Sequence, residues 1–444
     1  MTCPFTQKLE ENETMTITRR GLGALAAGSA AFAAFPASAQ APVTLDVLYC
    51  FPSFARFHEP VAKMFMDAHP TIRISFRAPA PSYDEGHQTI LRQALTNQLP
   101  DVFYSGFHLL PELARTLARR GQITELDSLL AAEGEAFRRE NYSDRILDLG
   151  RVDGKLYGFA FNASNPILYY NVDLVRRAGG NPDALPTEWD DVIALAARIN
   201  NPAEGINGVA YDVHGWPDGW LFEAMITQAG GRLLNADETA VGFDSPAGLN
   251  ALRTFRRFVT EGGMQLIDWN QSRQQFGAGK IGIYAASPAN LQQITGLVGD
   301  KFTLRTHTFP ITDKANGRIP TGGNAAVILA RDEAKRRAAW TFVKYVTGPE
   351  AQKVVVEMTG YLPTNIRAVG EAYLGPWYRA NPNALTAVKQ ADRAGPWGGY
   401  PGGNNVRIWR AQRDVITLVM RGELTPEAGL ARIVAETNAL MRGA

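Results

Sequence analysis

The sequence predicts an α/β protein built from two lobes, and three observations lead to this prediction. The chain has 444 residues, more than one hydrophobic core usually supports. Strand-like and helix-like segments alternate from residue 43 to about residue 120, which is typical of a parallel sheet with helices on both faces. Neither a flexible linker nor an internal repeat divides the chain, so we expect it to cross between the lobes more than once.

Hydrophobic periodicity predicts the elements of the first lobe. Val43–Tyr49 and Ile72–Phe76 are expected to be strands, and Asp101–Ser105 a short third strand. The amphipathic segment that starts at Phe54 predicts a helix ended by Pro70, because proline cannot continue a helix. The other two predicted helices cover Glu85–Asn97 and Leu109–Arg120.

The rest of the chain is predicted to be richer in helices. Strands are expected within Lys155–Asn171. Thr187 and Ser245 are expected to cap two helices, since hydroxyl oxygens accept the free N–H groups at a helix start. Two later strands are predicted at Ile281–Ser287 and Pro320–Ala330, and four later helices at Glu333–Tyr345, Pro349–Met358, Arg407–Arg421 and Pro426–Arg442.

Charge and motifs argue against several classes of function. A net charge of +1 gives no electrostatic reason to expect nucleic acid or an anionic membrane as partner. The six histidines lack the spacing of a metal site, and none of the common hydrolase or P-loop motifs is present. Residues 277–282, GAGKIG, match a dinucleotide-binding pattern, but here the helix precedes the glycines, so we expect Gly277 to end it in a left-handed conformation. We therefore predict no enzyme, no cofactor and no metal.

The N-terminus predicts export. Arg19-Arg20 precedes a run of small and weakly apolar residues, and Ala37-Ser38-Ala39 fits a cleavage site. We therefore interpret residues 1–40 as a signal cleaved near Ala39, similar to a twin-arginine signal, with the Sec route left open. A membrane anchor is disfavoured because the run is short and rich in glycine and alanine. Met15 is an alternative start. The mature protein is expected to be periplasmic and monomeric.

Two features of the sequence suggest a cleft for a sugar-like ligand. The polar run Asn162–Pro166 interrupts two successive apolar strands, which suits a position facing a cleft better than one inside a core. Aromatic residues also concentrate beside turns rich in glycine, proline and asparagine. Aromatic faces bind the C–H groups of sugars, while phenol and indole groups supply hydrogen bonds. The aromatic residues that carry this argument are Tyr49 and Phe51, at the predicted C-terminal end of the first strand, and Tyr83, Phe107, Trp216, Trp220, Tyr361, Trp397, Tyr400 and Trp409.

Several segments resemble the extracytoplasmic solute-binding proteins of ATP-driven importers, in the group that binds carbohydrates and sn-glycerol-3-phosphate. The resemblance is carried by residues 153–199, by GIYAASPANLQQI, TGGNAAVIL and TGYLPTNIRA, and by the two last helices, in that order. It implies the type II, maltose-binding-protein-like periplasmic-binding-protein fold, with three interlobe crossings near Ser164, Pro320–Gly323 and Gly360–Pro363. The implied lobes are residues 41–163 with 323–361, and 165–320 with 362–444.

The resemblance also implies a set of ligand-binding residues. Ligand hydroxyls are expected to pair with two serines and with backbone N–H groups of a glycine pair, an aromatic ring to stack on the ligand, and an arginine to hold an anionic group. The group carries a carboxylate after its third strand, where this chain has residues 104–108, YSGFH; this argues against sn-glycerol-3-phosphate itself. The implied residues are Tyr49, Tyr83, Ser164, Trp216, Ser287, Gly322, Gly323, Tyr361 and Arg407.

The predicted function is that of the substrate-binding protein of an ABC importer. It would capture a carbohydrate or polyol-type ligand, neutral or anionic, by hinged closure of the two lobes and present it to a membrane permease. Two alternatives stay open at this point. One is an exported carbohydrate-active enzyme, which needs paired carboxylates across a cleft. The other is a chemosensory binding module that works without a permease.

Overall fold

The strands of the protein belong to two main sheets and two short ribbons, and the computed structural model describes them within residues 42–443. The predicted export signal, with Arg19-Arg20, Met15 and the cleavage site near Ala39, lies outside the described residues. The strands are β1 (Val43–Leu48), β2 (Ile72–Phe76), β3 (Val102–Gly106), β4 (Arg151–Val152), β5 (Lys155–Leu156), β6 (Gly158–Ser164), β7 (Ile167–Asn171), β8 (Asn207–Tyr211), β9 (Ile281–Ala286), β10 (Leu304–Thr308), β11 (Ile319–Pro320), β12 (Gly322–Ile328) and β13 (Ala394–Gly395).

Helices cover the sheets and make up most of the C-terminal part. They are α1 (Ala55–Ala68), α2 (Tyr83–Leu95), α3 (Leu110–Ala118), α4 (Asp127–Glu133), α5 (Glu135–Asn141), α6 (Asp144–Asp148), α7 (Val172–Arg177), α8 (Trp189–Ile199), α9 (Trp220–Thr227), α10 (Pro246–Thr260), α11 (Trp269–Gly277), α12 (Leu291–Val298), α13 (Glu333–Val346), α14 (Pro349–Thr359), α15 (Gly375–Ala380), α16 (Leu385–Lys389), α17 (Asn405–Arg421) and α18 (Pro426–Met441). Within residues 42–443, none of these helices has the length and apolar content that crossing a bilayer requires.

The first sheet has the strand order β2-β1-β3-β12-β6. The strands β2, β1 and β3 are parallel, as the alternation of strands and helices predicted. The late strand β12 enters this sheet antiparallel to both of its neighbours. Successive side chains of a strand point to opposite faces, and here both faces are covered: Leu45 and Val47 pack into one core, and Leu48 into another. We call the part built on this sheet the first lobe.

The second sheet has the strand order β10-β7-β9-β8 and carries the second lobe. The strand β7 is antiparallel to both neighbours, whereas β9 and β8 are parallel. Its side chains also divide between two cores, with Tyr170 on one face and Tyr169 on the other. Helix α8 packs on β8, and α11 packs on β9.

The chain passes between the two sheets at three places. The first is Asn165-Pro166, between β6 and β7, and the second is Thr321, between β11 and β12. The third follows α14 at Gly360–Leu362, after which Ala368 packs in the core of the second lobe. The residue ranges predicted for the lobes, 41–163 with 323–361 and 165–320 with 362–444, remain a prediction.

Two local predictions are wrong and one is confirmed. Ser245 does cap α10, accepting the Gly248 N–H, but Thr187 does not cap α8, because that helix begins one residue later and its N-cap position is Glu188, which makes no side-chain cap. Gly277 is the last residue of α11, and the left-handed residue is Gly279, with φ of 77°, because the turn continues through Ala278. The strand β9 follows this helix, so the order is the reverse of a dinucleotide site.

The burial of His58 makes the stability of the fold depend on pH. Its ring is 3% exposed and lies between the rings of Tyr49 and Phe161, at centroid distances of 4.2 and 5.2 Å, and its Nε2 has no hydrogen-bond partner. Burial lowers the pKa of His58 to about 3. The unfolded chain therefore binds a proton below about pH 6.5 that the folded chain cannot bind, so stability falls as the pH falls.

We expect this linkage to lower the free energy of unfolding by about 2 kcal/mol between pH 7.5 and pH 5. Urea denaturation at the two pH values measures it. The matched variant is His58→Phe, which keeps an aromatic ring but cannot bind a proton. Its free energy of unfolding should fall by about 2 kcal/mol less than that of wild type between the two pH values. Equal losses in both proteins would contradict the assignment.

Candidate functional site

A cavity of about 60 Å³ lies where the crossings bring the two lobes together. Its wall is mostly aromatic, with a few polar side chains between the rings. The aromatic residues are Phe51, Phe54, Tyr83, Trp216, Trp220, Trp269, Tyr361 and Trp397, and the polar ones are Ser53, Ser164, Asp218, Arg273, Ser287 and Asn290. We call this cavity the chamber. Aromatic walls with few polar groups are typical of sites for small organic ligands.

All three crossings contribute to the wall of the chamber. Ser164 ends β6 and pairs with Gly322 at the start of β12, so the first two crossings lie side by side. Leu362 N donates to Ala163 O at 2.8 Å, which attaches the third crossing to the same strip and places Tyr361 at the chamber. Since the crossings bridge both lobes, a ligand held here would touch the two lobes and their connections.

The polar run Asn162–Pro166 joins the crossings to one another. Asn165 Nδ2 donates to Pro320 O at 3.2 Å, which links the first crossing to the second. Asn324 N donates to Asn162 Oδ1 at 3.1 Å, where the β6–β12 register shifts. These polar groups satisfy backbone atoms that an irregular crossing leaves without ladder partners.

Seven of the nine residues predicted from the sequence line the chamber. Ser164, Gly322, Gly323 and Tyr361 come from the crossings. The other three are brought in by separate elements: Tyr83 begins α2, Ser287 follows β9, and Trp216 precedes α9. The structure therefore brings these residues together, although they are distant in sequence.

Tyr49 is not at the chamber, because its side chain points into the core of the first lobe before the chain turns at Phe51, where φ is 65°. It follows β1 on the face of Leu45 and Val47, and its ring packs on His58 inside the core of the first lobe. The next ring along the chain, Phe51, reaches the chamber instead. The prediction placed Tyr49 at the correct end of the strand but on the wrong face.

Arg407 does not reach the chamber either. It lies on the exposed face of α17, while its neighbours Val406 and Ile408 are buried, and its Nη1 donates weakly to Asn404 Oδ1 at 3.4 Å. The helix starts at Asn405, so helical periodicity turns the guanidinium of Arg407 towards solvent. The anion contact that the sequence assigned to Arg407 is not present there.

One other arginine lines the chamber and a second lies next to it, and sequence reasoning did not find them. Arg273, on α11, is 8% exposed and lines the chamber, with its guanidinium carbon 4.9 Å from the centre of the Trp269 ring. Arg56, on α1 of the first lobe, donates from Nη2 to the carbonyl oxygen of Ala289, a residue of the second lobe that lines the chamber, at 3.1 Å. Burial lowers the pKa of Arg56, Tyr361 raises it, and the positive charge of Arg273 lowers it. The positive charge of one lobe therefore acts on that of the other.

Asp218 is the one acidic residue among the described residues that line the chamber, and sequence reasoning also missed it. It is 4% exposed, and it accepts the Trp220 N–H at 3.1 Å. Burial raises the pKa of Asp218 well above its usual range, and the negative charge of Asp84 raises it further. Burial therefore favours the protonated form of its carboxyl, which can donate a hydrogen bond and carries no charge to offset that of Arg273.

Comparison with known proteins identifies the family. The sequence pattern of the family described as bacterial extracellular solute-binding protein matches residues 51–353, more than half of the chain. The chain belongs to this family. Relatives include sn-glycerol-3-phosphate-binding periplasmic proteins UgpB. The one from Rhizobium meliloti (strain 1021) is 22% identical over 74% of this chain and 78% of the relative, and the one from Agrobacterium fabrum is 21% identical over 87% and 89%.

Solved structures of solute-binding proteins share the fold. UgpB from Mycobacterium tuberculosis, solved in complex with glycerophosphocholine, has a TM-score of 0.77 at 21% identity, over 91% of this chain and 99% of that protein. The GacH receptor of Streptomyces glaucescens, solved with acarbose, has a TM-score of 0.75 at 20% identity, over 91% and 99%. The predicted fold class, a two-lobe α/β periplasmic-binding-protein fold of the maltose-binding type, is confirmed.

The family also settles the choice between enzyme and binding protein. The matching relatives and structural neighbours are binding proteins and not enzymes, and the family is one of bacterial extracellular solute-binding proteins. Residues 42–443 hold no group of histidine, cysteine and acidic side chains arranged to bind a metal ion.

The Gly322-Gly323 pair predicts a sharp constraint on the crossing. Gly323 has φ of 120°, and a Cβ there would overlap the carbonyl oxygen of Asn162. Gly323→Ala should therefore lower the free energy of unfolding by about 2 kcal/mol or more, because strain and overlap add. Urea denaturation measures the loss. The control is Gly296→Ala in α12, where a Cβ meets nothing within 4 Å and the change should stabilise the helix slightly. If Gly323→Ala leaves the free energy of unfolding unchanged, the constraint inferred for this residue is wrong.

Proposed function

We propose that this chain is the exported binding component of an ABC importer and that its ligand is an anionic ester of a polyol or sugar, held in the chamber between the lobes. The observation that carries the proposal is that two arginines, Arg273 buried in the chamber wall and Arg56 half-buried against Ala289, form no ion pair with a carboxylate among the described residues. The export signal predicted for residues 1–40 supports a periplasmic location, and the family supports a membrane permease as partner.

The hydrogen bonds of both arginines go to neutral oxygen atoms. Arg273 donates to Asn270 Oδ1 at 2.7 Å and to Asn290 Oδ1 at 3.3 Å, and the Nε atoms of both arginines have no partner. Burial favours the neutral form of Asp218, so its carboxyl offsets less of the positive charge of Arg273 than an exposed aspartate would. An anion bound beside the two guanidinium groups would relieve their mutual repulsion, since each can donate charge-assisted hydrogen bonds to phosphate oxygens.

The remainder of the chamber suits the polyol part of such a ligand. Trp216 and Trp269 pack against each other with a centroid distance of 5.5 Å and an interplanar angle of 57°, and both rings line the chamber, where they present apolar surface to C–H groups. Ser164 and Ser287 offer hydroxyls beside them. Asp218 supplies a carboxyl group from the loop before α9, so the absence of one after β3 no longer argues against sn-glycerol-3-phosphate. The names of the relatives, and the glycerophosphocholine of the M. tuberculosis structure, point to the same class of ligand.

Contacts between the lobes support binding by closure. The Arg56–Ala289 hydrogen bond joins α1 to the second lobe at the anion end. On another side of the chamber, Asn405 Nδ2 donates to Glu112 Oε2 at 2.8 Å, which joins α17 to α3. Ligand groups that touch both lobes would add to these contacts and shift the population towards the closed form.

The first test is the loss of anion binding in Arg273→Gln. Removing a charge-assisted contact should weaken the affinity for sn-glycerol 3-phosphate or glycerophosphocholine by roughly tenfold to a hundredfold, measured by isothermal titration calorimetry. The matched control is Arg407→Gln, which removes the same charge from an exposed position and should leave the affinity unchanged. If the wild type binds neither ester, or if the two variants lose affinity equally, the proposal is wrong.

The second test concerns closure. Saturation with the ester that binds should lower the radius of gyration measured by small-angle X-ray scattering, because the closed form is more compact than the open one. Arg273→Gln at the same ligand concentration serves as the control and should stay closer to the unliganded value. Tight binding without any change in the radius of gyration would contradict the hinged mechanism.

A further inference from the structure

We propose that Trp397 is the residue that limits the length of the ligand, because its indole ring closes the chamber against an open groove between the lobes. The inference rests on the proposed function only in placing the ligand in the chamber, whatever the charge of that ligand. It concerns a residue from the segment between β13 and α17, which the sequence counted among the aromatic residues beside turns but did not include in the predicted set of ligand-binding residues.

Cavities on the two sides of Trp397 carry the argument. On one side is the chamber of about 60 Å³, and on the other a groove of about 620 Å³ between α3 and residues 396–403. Among residues 42–443, Trp397 alone lines both. It also lines a small pocket of about 30 Å³ beside Asp218, between the chamber and the groove. One side chain therefore stands between a space for a small solute and a space roughly ten times larger.

The ring of Trp397 is held from both lobes. His108, at the end of the first sheet, stacks on it with a centroid distance of 3.7 Å and an interplanar angle of 23°. On the chamber side it contacts the edges of the Tyr83 and Trp220 rings, each at a centroid distance of 6.4 Å. The N–H of the next residue, Gly398, donates to the Glu223 carboxyl at 3.0 and 3.2 Å. These contacts hold the indole in one orientation, so it acts as a wall and His108 as its positioning residue.

The groove beyond this wall is suited to polar extensions of a ligand. Arg115 and Arg119 line it on the side of α3, and Tyr400 on the opposite side. Sugar hydroxyls or a phosphodiester head group could pair with these side chains, but only if the extension passes the position of the indole. Wild-type protein should therefore select short ligands, and removal of the indole should open the chamber into the groove.

The experiment compares two pairs of probes in the full-length protein. The anionic pair is sn-glycerol 3-phosphate and glycerophosphoinositol, and the neutral pair is maltose and maltotetraose. Calorimetry gives the ratio of dissociation constants, long over short, within each pair. We expect a ratio of about ten or more in wild type, and a ratio reduced at least about fivefold in Trp397→Ala, because steric exclusion of this size is what one pocket wall provides.

Three further variants make the result specific. Trp377→Ala, on α15 outside the chamber lining, should keep the wild-type ratio. His108→Ala, which removes the stacking partner, should lower the ratio, and His108→Phe, which restores a stacked ring, should bring it back. If Trp397→Ala does not fold, as judged by circular dichroism, the ratios of dissociation constants in the two His108 variants test whether the indole limits ligand length.

The outcomes separate the two proposals. If the protein binds only the neutral probes, the proposal of an anionic ligand is wrong. The ratio of dissociation constants of maltotetraose and maltose then still tests the role of Trp397. Equal affinity of wild type for short and long probes, or a ratio that Trp397→Ala leaves unchanged, overturns the wall while the anionic function stands. If wild type binds no probe at all, both proposals fall, since both require a chamber that a small solute enters.

Discussion

The pairing of β12 with the end of β6 is the constraint on which the rest of the structure depends. Gly322 and Gly323 lie opposite Ser164 and Ala163, at the point where both strands leave the first sheet. Because Ala163 O also accepts the Leu362 N–H, all three crossings meet in one strip of hydrogen-bonded backbone. The lobes can change their separation only by bending this strip, so the residues along it stay at the ligand in every arrangement of the lobes.

This strip explains the composition around it. A Cβ at Gly322 would come within 2.8 Å of the Trp220 ring and 3.0 Å of Ser164 Oγ, so a glycine lets the indole approach the backbone. Trp220 Nε1 in turn donates to Pro320 O at 3.0 Å. Small residues and asparagines at the crossings therefore allow aromatic side chains to pack against irregular backbone. These aromatic side chains form the wall of the chamber.

Electrostatics at the chamber depends on burial more than on sequence position. Arg273 and Asp218 both line it, but burial raises the pKa of Asp218 and favours its neutral form, which offsets less of the guanidinium charge. A surface pair of the same residues would be largely screened and worth little. The same desolvation keeps His58 neutral in the core of the first lobe, so one physical effect governs both the charge of the chamber and the acid sensitivity of the fold.

The sequence by itself determined the two lobes, most strands and helices, and the polar and aromatic positions beside strand ends, such as Ser164, Ser287 and Tyr83. These follow from local periodicity and from the rule that open α/β sheets bind ligands beyond their strand ends. Only the tertiary structure decided that Phe51 and not Tyr49 lines the chamber, since the chain leaves the strand after Leu48 and turns at Phe51, where φ is 65°. It also decided that Arg273 and not Arg407 lines the chamber, because proximity across two lobes leaves no periodic signal in either helix.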